Sequence, residues 1–383
     1  MRILYLSKAY SPHDHRFLSG LARTDHEVFF LRLEQADQQI EVRALPAKIT
    51  QPDWLGGKRA FRWRDVPGLT GDLRRVVADV RPDVIHAGPI QTCAFIAIRS
   101  AFRPIVSMSW GFDLQEDARR NIWWDWVTRY TLRRSTFFTC DADISRRLAI
   151  GYGMNPERIS VFPWGVDLQH FKPRRPRIAR PSLGHRSRHR QGTHAPSFVL
   201  LCNRSWEPRY GVDVLARGFA AAARRSPGLR LVLLGSGSRA EALRQILLDA
   251  GVMDRVEWGG RVSQADLPRW YRRCDLYVSP SHVDGSSVSL MEALACGLPV
   301  LVSDIAANKE WVQEGDNGWL FRDGDADDLA QKILSVAARP RTLEGIGRHA
   351  RLVAERRADW KINFQILLRS YEEAVRLNAR GTA

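Results

Sequence analysis

Residues Ser279–Asp304 read SPSHVDGSSVSLMEALACGLPVLVSD, and this stretch carries the clearest structural signal in the chain. An apolar run that ends at Val278 predicts a strand, and the Gly and Ser residues after it predict a turn. Ser286 or Ser287 is suited to cap the helix that follows, and Gly297 is suited to end it before the next apolar run. The N–H groups at the start of such a helix form an anion site.

Two acidic residues accompany that helix. Asp284 lies just before its start, and Glu292 follows eight residues later. Helical geometry puts roughly 10 Å between the two positions, which is similar to the span from the sugar to the ribose of a nucleotide sugar. One hypothesis is that Asp284 binds sugar hydroxyls, the N–H groups bind the diphosphate and Glu292 binds the ribose. The alternative is an ordinary strand–turn–helix whose Glu292 faces solvent.

Apolar runs alternate with helical patterns on both sides of this stretch. The alternation occurs twice, which predicts two doubly wound parallel α/β domains. The predicted strands are Ile3–Leu6, Val28–Leu33, Val84–His86, Ile105–Ser109, Phe137–Cys140, Ile159–Phe162, Phe198–Cys202, Leu231–Leu234, Val256–Trp258, Leu276–Val278 and Val300–Val302. The predicted parts are a Rossmann-like domain over 1–171, a basic linker or loop over 172–197, a second Rossmann-like domain over 198–357, and a helix over 358–383 that packs back toward the first domain.

The predicted linker is strongly basic. It holds eight Lys and Arg residues, four Pro and no acid, which is half of the formal net charge of +16 of this 383-residue chain. This composition is typical of a flexible segment. A solvated linker and a contact with an anionic membrane or polyanion stay open. We expect no specific nucleic-acid partner, because the segment lacks the interleaved aromatic residues that stack on bases. The 44% apolar content of the whole chain excludes a largely disordered protein.

A second basic segment, Arg119–Arg134, reads RRNIWWDWVTRYTLRR. Trp123, Trp126 and Tyr130 share one helical face, and arginines surround them. Either a helix at a membrane surface or a core helix whose arginines reach water would have this pattern. No 18-residue apolar window predicts a spanning helix, so we expect a cytoplasmic protein, with a peripheral position on the inner face of the membrane left open.

The helix stretch resembles the signature of glycosyltransferase family 4, whose members are retaining enzymes with the GT-B fold. That signature is a Glu, seven residues, a second Glu, then an Ala and a Gly-x-Pro-Val strand. Its second half is matched at Glu292, Ala293, Gly297, Pro299, Val300, Ser303 and Asp304. The first acid is Asp284 instead of Glu, which shortens its reach by about one methylene.

The resemblance implies two cations for the donor diphosphate. Arg204 follows the first strand of the second domain, and Arg209 stands where the family usually has Lys, so the charge is kept but the geometry changes. Together with Asp284 and Glu292 they are the predicted catalytic residues. The implied donor-binding residues are Gly235, Gly237, Arg261, Val262, Gly285, Ser286, Ser287 and Val288.

Motifs in the first domain imply an acceptor side. Trp110-Gly111-Phe112-Asp113 stands where the family has His-Gly-x-Asp, so a catalytic His is absent there. The run from Pro163 to Pro173 resembles an interdomain motif of the family, with Trp164 in place of Asn. The candidates on this side are His13, Arg16, His86, Trp110, Gly111, Asp113 and Trp164. For His13, an ordinary surface histidine is the alternative.

The resemblance implies an α/β protein of the GT-B fold, with two Rossmann-like domains that face a cleft. It implies transfer of a sugar from a nucleotide sugar, expected to be a UDP-sugar, to an acceptor with retention at the anomeric carbon. Polysaccharide, lipid-linked glycan or glycoconjugate synthesis is the expected setting, with no metal and no cofactor. A non-catalytic basic protein that binds nucleotide sugars or polyanions, and a GT-B epimerase, stay open.

Three short motifs point elsewhere. Gly235-Ser-Gly237-Ser-Arg-Ala240 fits a dinucleotide fingerprint, and Asp141-Ala-Asp143 and Asp325-Ala-Asp327 imitate a metal-binding Asp-x-Asp pair. Since the family has a Gly-x-Gly turn near the nucleotide at the first of these places, we expect no NAD site. We also expect no metal at the two Asp pairs.

Overall fold

The structure is a computed structural model that describes residues 1–35, 41, 43–173 and 197–381. The chain forms two compact units, one from Met1–Pro163 with Lys361–Ala383 and the other from Trp164–Trp360. Each unit is an α/β fold built on one parallel sheet, which confirms the predicted fold class. Most of the predicted basic linker, residues 174–196, lies outside the described residues, and the domain limits given above stay predictions.

The first unit is built on a seven-stranded sheet. Its strands are β1 (Arg2–Ser7), β2 (Glu27–Arg32), β3 (Ile49–Thr50), β4 (Val84–Gly88), β5 (Ile105–Met108), β6 (Phe137–Cys140) and β7 (Ile159–Val161), in the order β3-β2-β1-β4-β5-β6-β7. Its helices are α1 (Pro12–Leu21), α2 (Val66–Val80), α3 (Phe95–Arg99), α4 (Phe112–Gln115), α5 (Ile122–Arg134), α6 (Asp143–Gly151) and, from Lys361 onward, α14 (Trp360–Gly381). The central strands are near-continuous apolar runs because helices cover both faces of the sheet.

The second unit is built on a six-stranded sheet. Its strands are β8 (Phe198–Cys202), β9 (Leu229–Leu234), β10 (Val256–Gly260), β11 (Leu276–Ser279), β12 (Val300–Ser303) and β13 (Gly318–Phe321), in the order β10-β9-β8-β11-β12-β13. Its helices are α7 (Val212–Arg225), α8 (Ala240–Asp249), α9 (Leu267–Tyr271), α10 (Val288–Ala295), α11 (Ala306–Lys309), α12 (Ala326–Ala337) and α13 (Leu343–Arg357).

Strand order places the candidate site of the second unit. The chain winds outward from β8 to β9 and β10, then crosses back so that β11 pairs on the other side of β8. Ligands of doubly wound sheets bind at the carboxyl ends of the strands where the order reverses. The loops that follow β8 and β11 lie at that point.

Two strands are absent from the sequence predictions, β3 and β13. β3 has only two residues, and β13 pairs with β12 through the short segment GWLF. Neither is long enough to show alternation in the sequence. Within the described part of the chain, the structure has no helix that is long and apolar enough to cross a membrane.

Candidate functional site

The reversal point of the second sheet brings the two most specific predicted residues together. Arg204 follows β8 and Asp284 follows β11, and these strands are hydrogen-bonded neighbours. Nη2 of Arg204 lies 2.7 Å from Oδ2 of Asp284. Two residues that are far apart in the sequence therefore form one ion pair at the edge where a ligand is expected.

The guanidinium of Arg204 is held from several directions. Its Nη1 donates to the Oγ of Ser287 at 2.7 Å and to the Oγ of Ser289 at 3.0 Å. Its central carbon lies 4.3 Å from the ring centre of Tyr210. Its Nε is buried and has no hydrogen-bond partner among the described residues. Arg204 thus connects the β8 loop to the first turn of α10.

The ion pair is largely shielded from solvent, with 11% of the Arg204 side chain and 16% of the Asp284 side chain exposed. Burial raises the pKa of the Asp284 carboxyl, and the guanidinium opposes this shift. Burial lowers the pKa of Arg204, but the carboxylate outweighs that effect and raises it above the ordinary value. The site therefore holds a permanent cation in a fixed position.

The start of α10 lies directly beside this cation. Ser287 is the residue before the first helical turn, which confirms one of the two predicted caps, but its side chain makes no capping bond. Its hydroxyl accepts from Arg204 instead, while the Oγ of Ser286 accepts from Nε1 of Trp311 at 3.1 Å. The helix dipole and Arg204 thus present positive charge on the same side.

Glu292 is buried in the same helix, with 2% of the residue exposed. The hydroxyl of Tyr271 donates to its Oε2 at 2.8 Å, and Nε2 of Gln264 donates to its Oε1 at 3.3 Å. Burial, together with the charge of Glu292, raises the pKa of Tyr271 well above its ordinary value, so the phenol stays protonated. The solvent-facing alternative is wrong for Glu292, and its contact with a ribose stays a prediction.

The predicted glycine turn packs against the loop that carries Arg204. Gly235 has a φ of +108°, and its N–H donates to the carbonyl of Gly260 at 2.6 Å. A Cβ on Gly237 would lie 2.5 Å from the carbonyl carbon and oxygen of Trp206. The close backbone approach at Gly237 is thus an approach to the protein's own chain, which explains that glycine without a bound dinucleotide.

Arg209 lies in the turn Pro208–Tyr210 and is half-buried. Its carbonyl accepts the N–H of His282 at 2.9 Å, and Nδ1 of His282 lies 2.6 Å from Oδ1 of Asp323. His282 is a site neighbour that the sequence interpretation missed, although it stands within the quoted stretch. Its only signal was its place between the end of β11 and Asp284.

Two further predicted donor-binding residues, Arg261 and Val262, come directly after β10. Arg261 and Val262 line an open pocket of about 400 Å³, together with Arg269, Trp270 and Arg273. Arg273 stacks on Trp270 at 4.6 Å and also pairs with Glu257 at 3.1 Å. The contribution of Arg261 and Val262 to donor binding stays a prediction.

In the first unit, the structure brings His13 and Trp110 together, with ring centres 6.0 Å apart. Gly111 has a φ of +83° before α4. Asp113 is fully buried and accepts from Oγ of Ser109 at 2.6 Å and from the N–H of Trp110 at 3.1 Å. Burial raises the pKa of Asp113 to about 6, and these hydrogen bonds oppose the shift. Asp113 therefore fixes the loop that presents Trp110.

The remaining acceptor-side candidates are His86, Arg16 and Trp164. His86 is buried, and its Nδ1 lies 2.6 Å from the hydroxyl of Tyr371 on α14. Arg16 is half-buried on α1, and Trp164 is buried in the second unit. Their roles near an acceptor stay predictions.

One aspartate of each Asp-x-Asp motif has a contact at the start of its own helix. Asp325 caps α12 by accepting the N–H groups of Asp327 and Asp328 at 3.0 and 2.9 Å. Asp143 lies in the first turn of α6 and pairs with Arg147 at 2.8 Å. Over the described ranges, no three His, Cys, Asp or Glu side chains are grouped so that they could hold a metal ion.

Comparison with known proteins gives one family model for each half of the chain. The model described as Glycosyltransferase Family 4 matches residues 13–170, and the model described as Glycosyl transferases group 1 matches residues 196–339.

The D-inositol 3-phosphate glycosyltransferase of Thermomonospora curvata is 30% identical over 246 residues, which are 61% of this chain and 56% of that protein. The enzyme of the same name from Geodermatophilus obscurus is 32% identical over 219 residues, which are 55% of this chain and 47% of that protein. The chain thus spans about half the length of the curated relatives it matches.

Solved structures match the fold over nearly the whole chain. Anabaena Alr3699/HepE in complex with UDP and glucose has a TM-score of 0.78 at 20% identity, with 97% of this chain and 99% of that chain covered. Sucrose-phosphate synthase (tll1590) from Thermosynechococcus elongatus has a TM-score of 0.79 at 17% identity, with the same coverage. With the fold shared and one family model matched in each half, the chain belongs to glycosyltransferase family 4.

Proposed function

We propose that this protein is a glycosyltransferase that transfers a sugar from a UDP-sugar to an acceptor, with retention at the anomeric carbon and without a metal. The observation that carries the proposal is the buried Arg204, which is fixed beside the start of α10 by Asp284 and two serines. A fixed cation and a helix N-terminus together suit a diphosphate. Anabaena Alr3699/HepE, a match in fold, has been solved with UDP-glucose.

In this proposal the diphosphate is both leaving group and base. Arg204 donates an N–H to a phosphate oxygen, and Arg209 supplies a second cation from the adjacent turn. As the bond between the anomeric carbon and the phosphate oxygen breaks, the two arginines stabilise the charge that develops there. The acceptor oxygen bonds to the anomeric carbon from the same face, and its proton passes to the departing diphosphate.

The two acids have separate roles. Asp284 accepts hydrogen bonds from hydroxyls of the donor sugar. Its ion pair with Arg204 also keeps the guanidinium in place. Glu292 accepts the ribose hydroxyls, with its carboxylate oriented by Tyr271 and Gln264. Since each carboxylate accepts hydrogen bonds from hydroxyl groups, the donor is bound on both sides of its diphosphate, at the sugar and at the ribose.

The acceptor side lies in the first unit, where Asp113 holds the Trp110 loop next to His13. An aromatic pair suits the faces of a sugar ring or of a cyclic alcohol. We assign the protein to polysaccharide, lipid-linked glycan or glycoconjugate synthesis on the cytoplasmic side.

A nucleotide screen tests this function. Thermal unfolding is measured with UDP, GDP and ADP and with their glucose conjugates. We expect UDP and UDP-sugars to stabilise the protein most, since a ligand at 100 times its Kd adds about 2.7 kcal/mol. Transfer to an identified acceptor is then followed by NMR, and the product should keep the anomeric configuration of the donor. Stabilisation by none of the nucleotides, or an inverted product, would contradict the proposal.

A further inference from the structure

The first unit exposes a row of aromatic side chains on α5. Trp123 and Trp126 are stacked with ring centres 5.0 Å apart, and Trp126 stacks on Tyr130 at 5.1 Å. Trp123 is 47% exposed, Trp126 is 45% exposed, and Ile122 beside them is 91% exposed. An isoleucine and two tryptophans held open to water at the start of one helix form a contiguous apolar surface, which usually marks a contact site.

Aromatic side chains of the first unit pack against the inner edges of this surface. The ring of Trp63 lies 5.8 Å from that of Trp123, and the buried ring of Phe95 lies 6.3 Å from that of Trp126. Val127, beside the aromatic row, packs with Phe95 and Val66, and Leu132 on the opposite side of α5 is buried in the main core of the unit. The inner edges of these rings therefore fix their positions against Trp63 and Phe95, while about half of each tryptophan stays exposed.

Positive charge surrounds the aromatic row. The guanidinium of Arg134 lies 4.1 Å above the ring of Tyr130, and that of Arg120 lies 4.9 Å above the ring of Trp124. Exposed Arg62 and Arg64 flank Trp63. Across residues 59–65, 99 and 116–134 the sequence has nine arginines against four acids.

We propose that the Ile122 face, defined as Ile122, Trp123, Trp126 and Tyr130 with the arginines around them, docks on the surface of an anionic lipid bilayer. Tryptophan and tyrosine are the side chains that settle at the boundary between headgroups and acyl chains, and arginine pairs with lipid phosphates while its stem covers apolar surface. A carbohydrate platform would use the rings but has no use for an aliphatic side chain as exposed as Ile122. The excess of arginine matches the negative surface of such a bilayer.

Vesicle flotation of the full chain tests this proposal. Vesicles of phosphatidylcholine alone are compared with vesicles that also contain phosphatidylglycerol, at low and at high salt. We expect binding to the anionic vesicles, weakened by salt by about tenfold or more but not abolished, because charge attraction is screened and apolar insertion is not.

Variants assign the binding to this face. Ile122→Ser changes a residue that is 91% exposed, so we expect the fold to stay intact. It should lower the bound fraction severalfold, and W123A/W126A should lower it further. The matched controls are Leu248→Ser and Ile362→Ser, whose side chains are each 61% exposed elsewhere, and neither should change binding. Binding of UDP, measured in parallel, should be equal in all of these variants, so failure of the docking proposal is distinct from failure of the proposed function.

Three outcomes would overturn the proposal. The first is absence from both kinds of vesicle. The second is binding that survives in the face variants but disappears when the basic residues of 172–197 are neutralised. The third is a dimer in solution that Ile122→Ser dissociates, with no lipid binding, because the face would then be a contact between two copies.

Discussion

His86 and Tyr371 are 285 residues apart in the sequence, yet Nδ1 of the histidine and the hydroxyl of the tyrosine form a hydrogen bond of 2.6 Å. His86 lies on β4 and Tyr371 on α14, and both are almost fully buried. Nε2 of His86 is buried without a partner among the described residues. A proton added to this ring would bring an uncompensated charge into the core, so burial lowers the pKa of His86 to about 3.

The buried histidine predicts a specific acid sensitivity. In the unfolded chain His86 binds a proton below about pH 6.5, but in the folded protein it stays neutral down to about pH 3. The unfolded state therefore gains protons that the folded state cannot, and His86 lowers the free energy of unfolding by at most about 1.4 kcal/mol for each pH unit below 6.5. Urea denaturation between about pH 7 and pH 4.5 measures the slope.

Two variants separate this effect from the general loss of stability in acid. His86→Phe removes the titrating group, so its stability should fall less steeply with decreasing pH than that of the wild type. Tyr371→Phe removes the hydrogen bond but keeps the buried histidine, so it should be less stable at every pH with the wild-type slope. Equal slopes for the wild type and His86→Phe would show that His86 accepts a proton without cost.

The His86–Tyr371 pair also separates what the sequence predicts from what it does not. The strand before His86 was visible as an apolar run, and a family motif suggested an acceptor-side role for the histidine. The sequence predicts a helix over 358–383 that packs toward the first domain, but it does not show that Tyr371 of this helix meets His86, because that contact depends on tertiary packing. β3 escaped prediction for the same reason, since a two-residue strand exists only through its pairing with β2.

Glu292 gives the second prediction. Replacement of Glu292 by Ala should weaken donor binding by a factor of ten to a hundred, because the loss of a charged hydrogen-bond partner costs roughly 1.5–3 kcal/mol. Tyr271→Phe should weaken it by a smaller factor, since it removes only the hydroxyl that orients the carboxylate. Isothermal titration with UDP measures both dissociation constants.

The matched control is Glu241→Ala on α8, because Glu241 is a glutamate of the same unit with 87% of its side chain exposed. It should bind UDP like the wild type. A donor dissociation constant within twofold of wild type for Glu292→Ala would remove Glu292 from the site. If Tyr271→Phe then had the larger effect, the ribose contact would belong to the tyrosine.

The charged residues of the candidate site were easier to predict from the sequence than the residues that hydrogen-bond to them. Arg204, Asp284 and Glu292 were all visible as charged residues at fixed places after strands and on one helix. Tyr271 and Ser289, which hold Glu292 and Arg204, were not, because an isolated tyrosine or serine has no signal of its own. Their roles follow from the packing of α9 against α10, which depends on the whole second unit.

The last prediction concerns metal ions. Arg204 and Arg209 are the cations proposed to stabilise the leaving diphosphate, so transfer should proceed at an unchanged rate in excess EDTA. Arg204→Gln should lower kcat by about 10²–10³, the usual cost of losing one donor that stabilises developing negative charge. Arg217→Gln is the matched control, because Arg217 lies on α7 of the same unit and forms an ordinary exposed ion pair with Asp213. Steady-state transfer assays, each run with EDTA and with added Mn²⁺, measure these effects.

Activity that vanished with the chelator and returned with Mn²⁺ would mean that a metal, and not Arg204, carries the diphosphate charge. Asp141 and Asp143 would then need to be tested as its ligands.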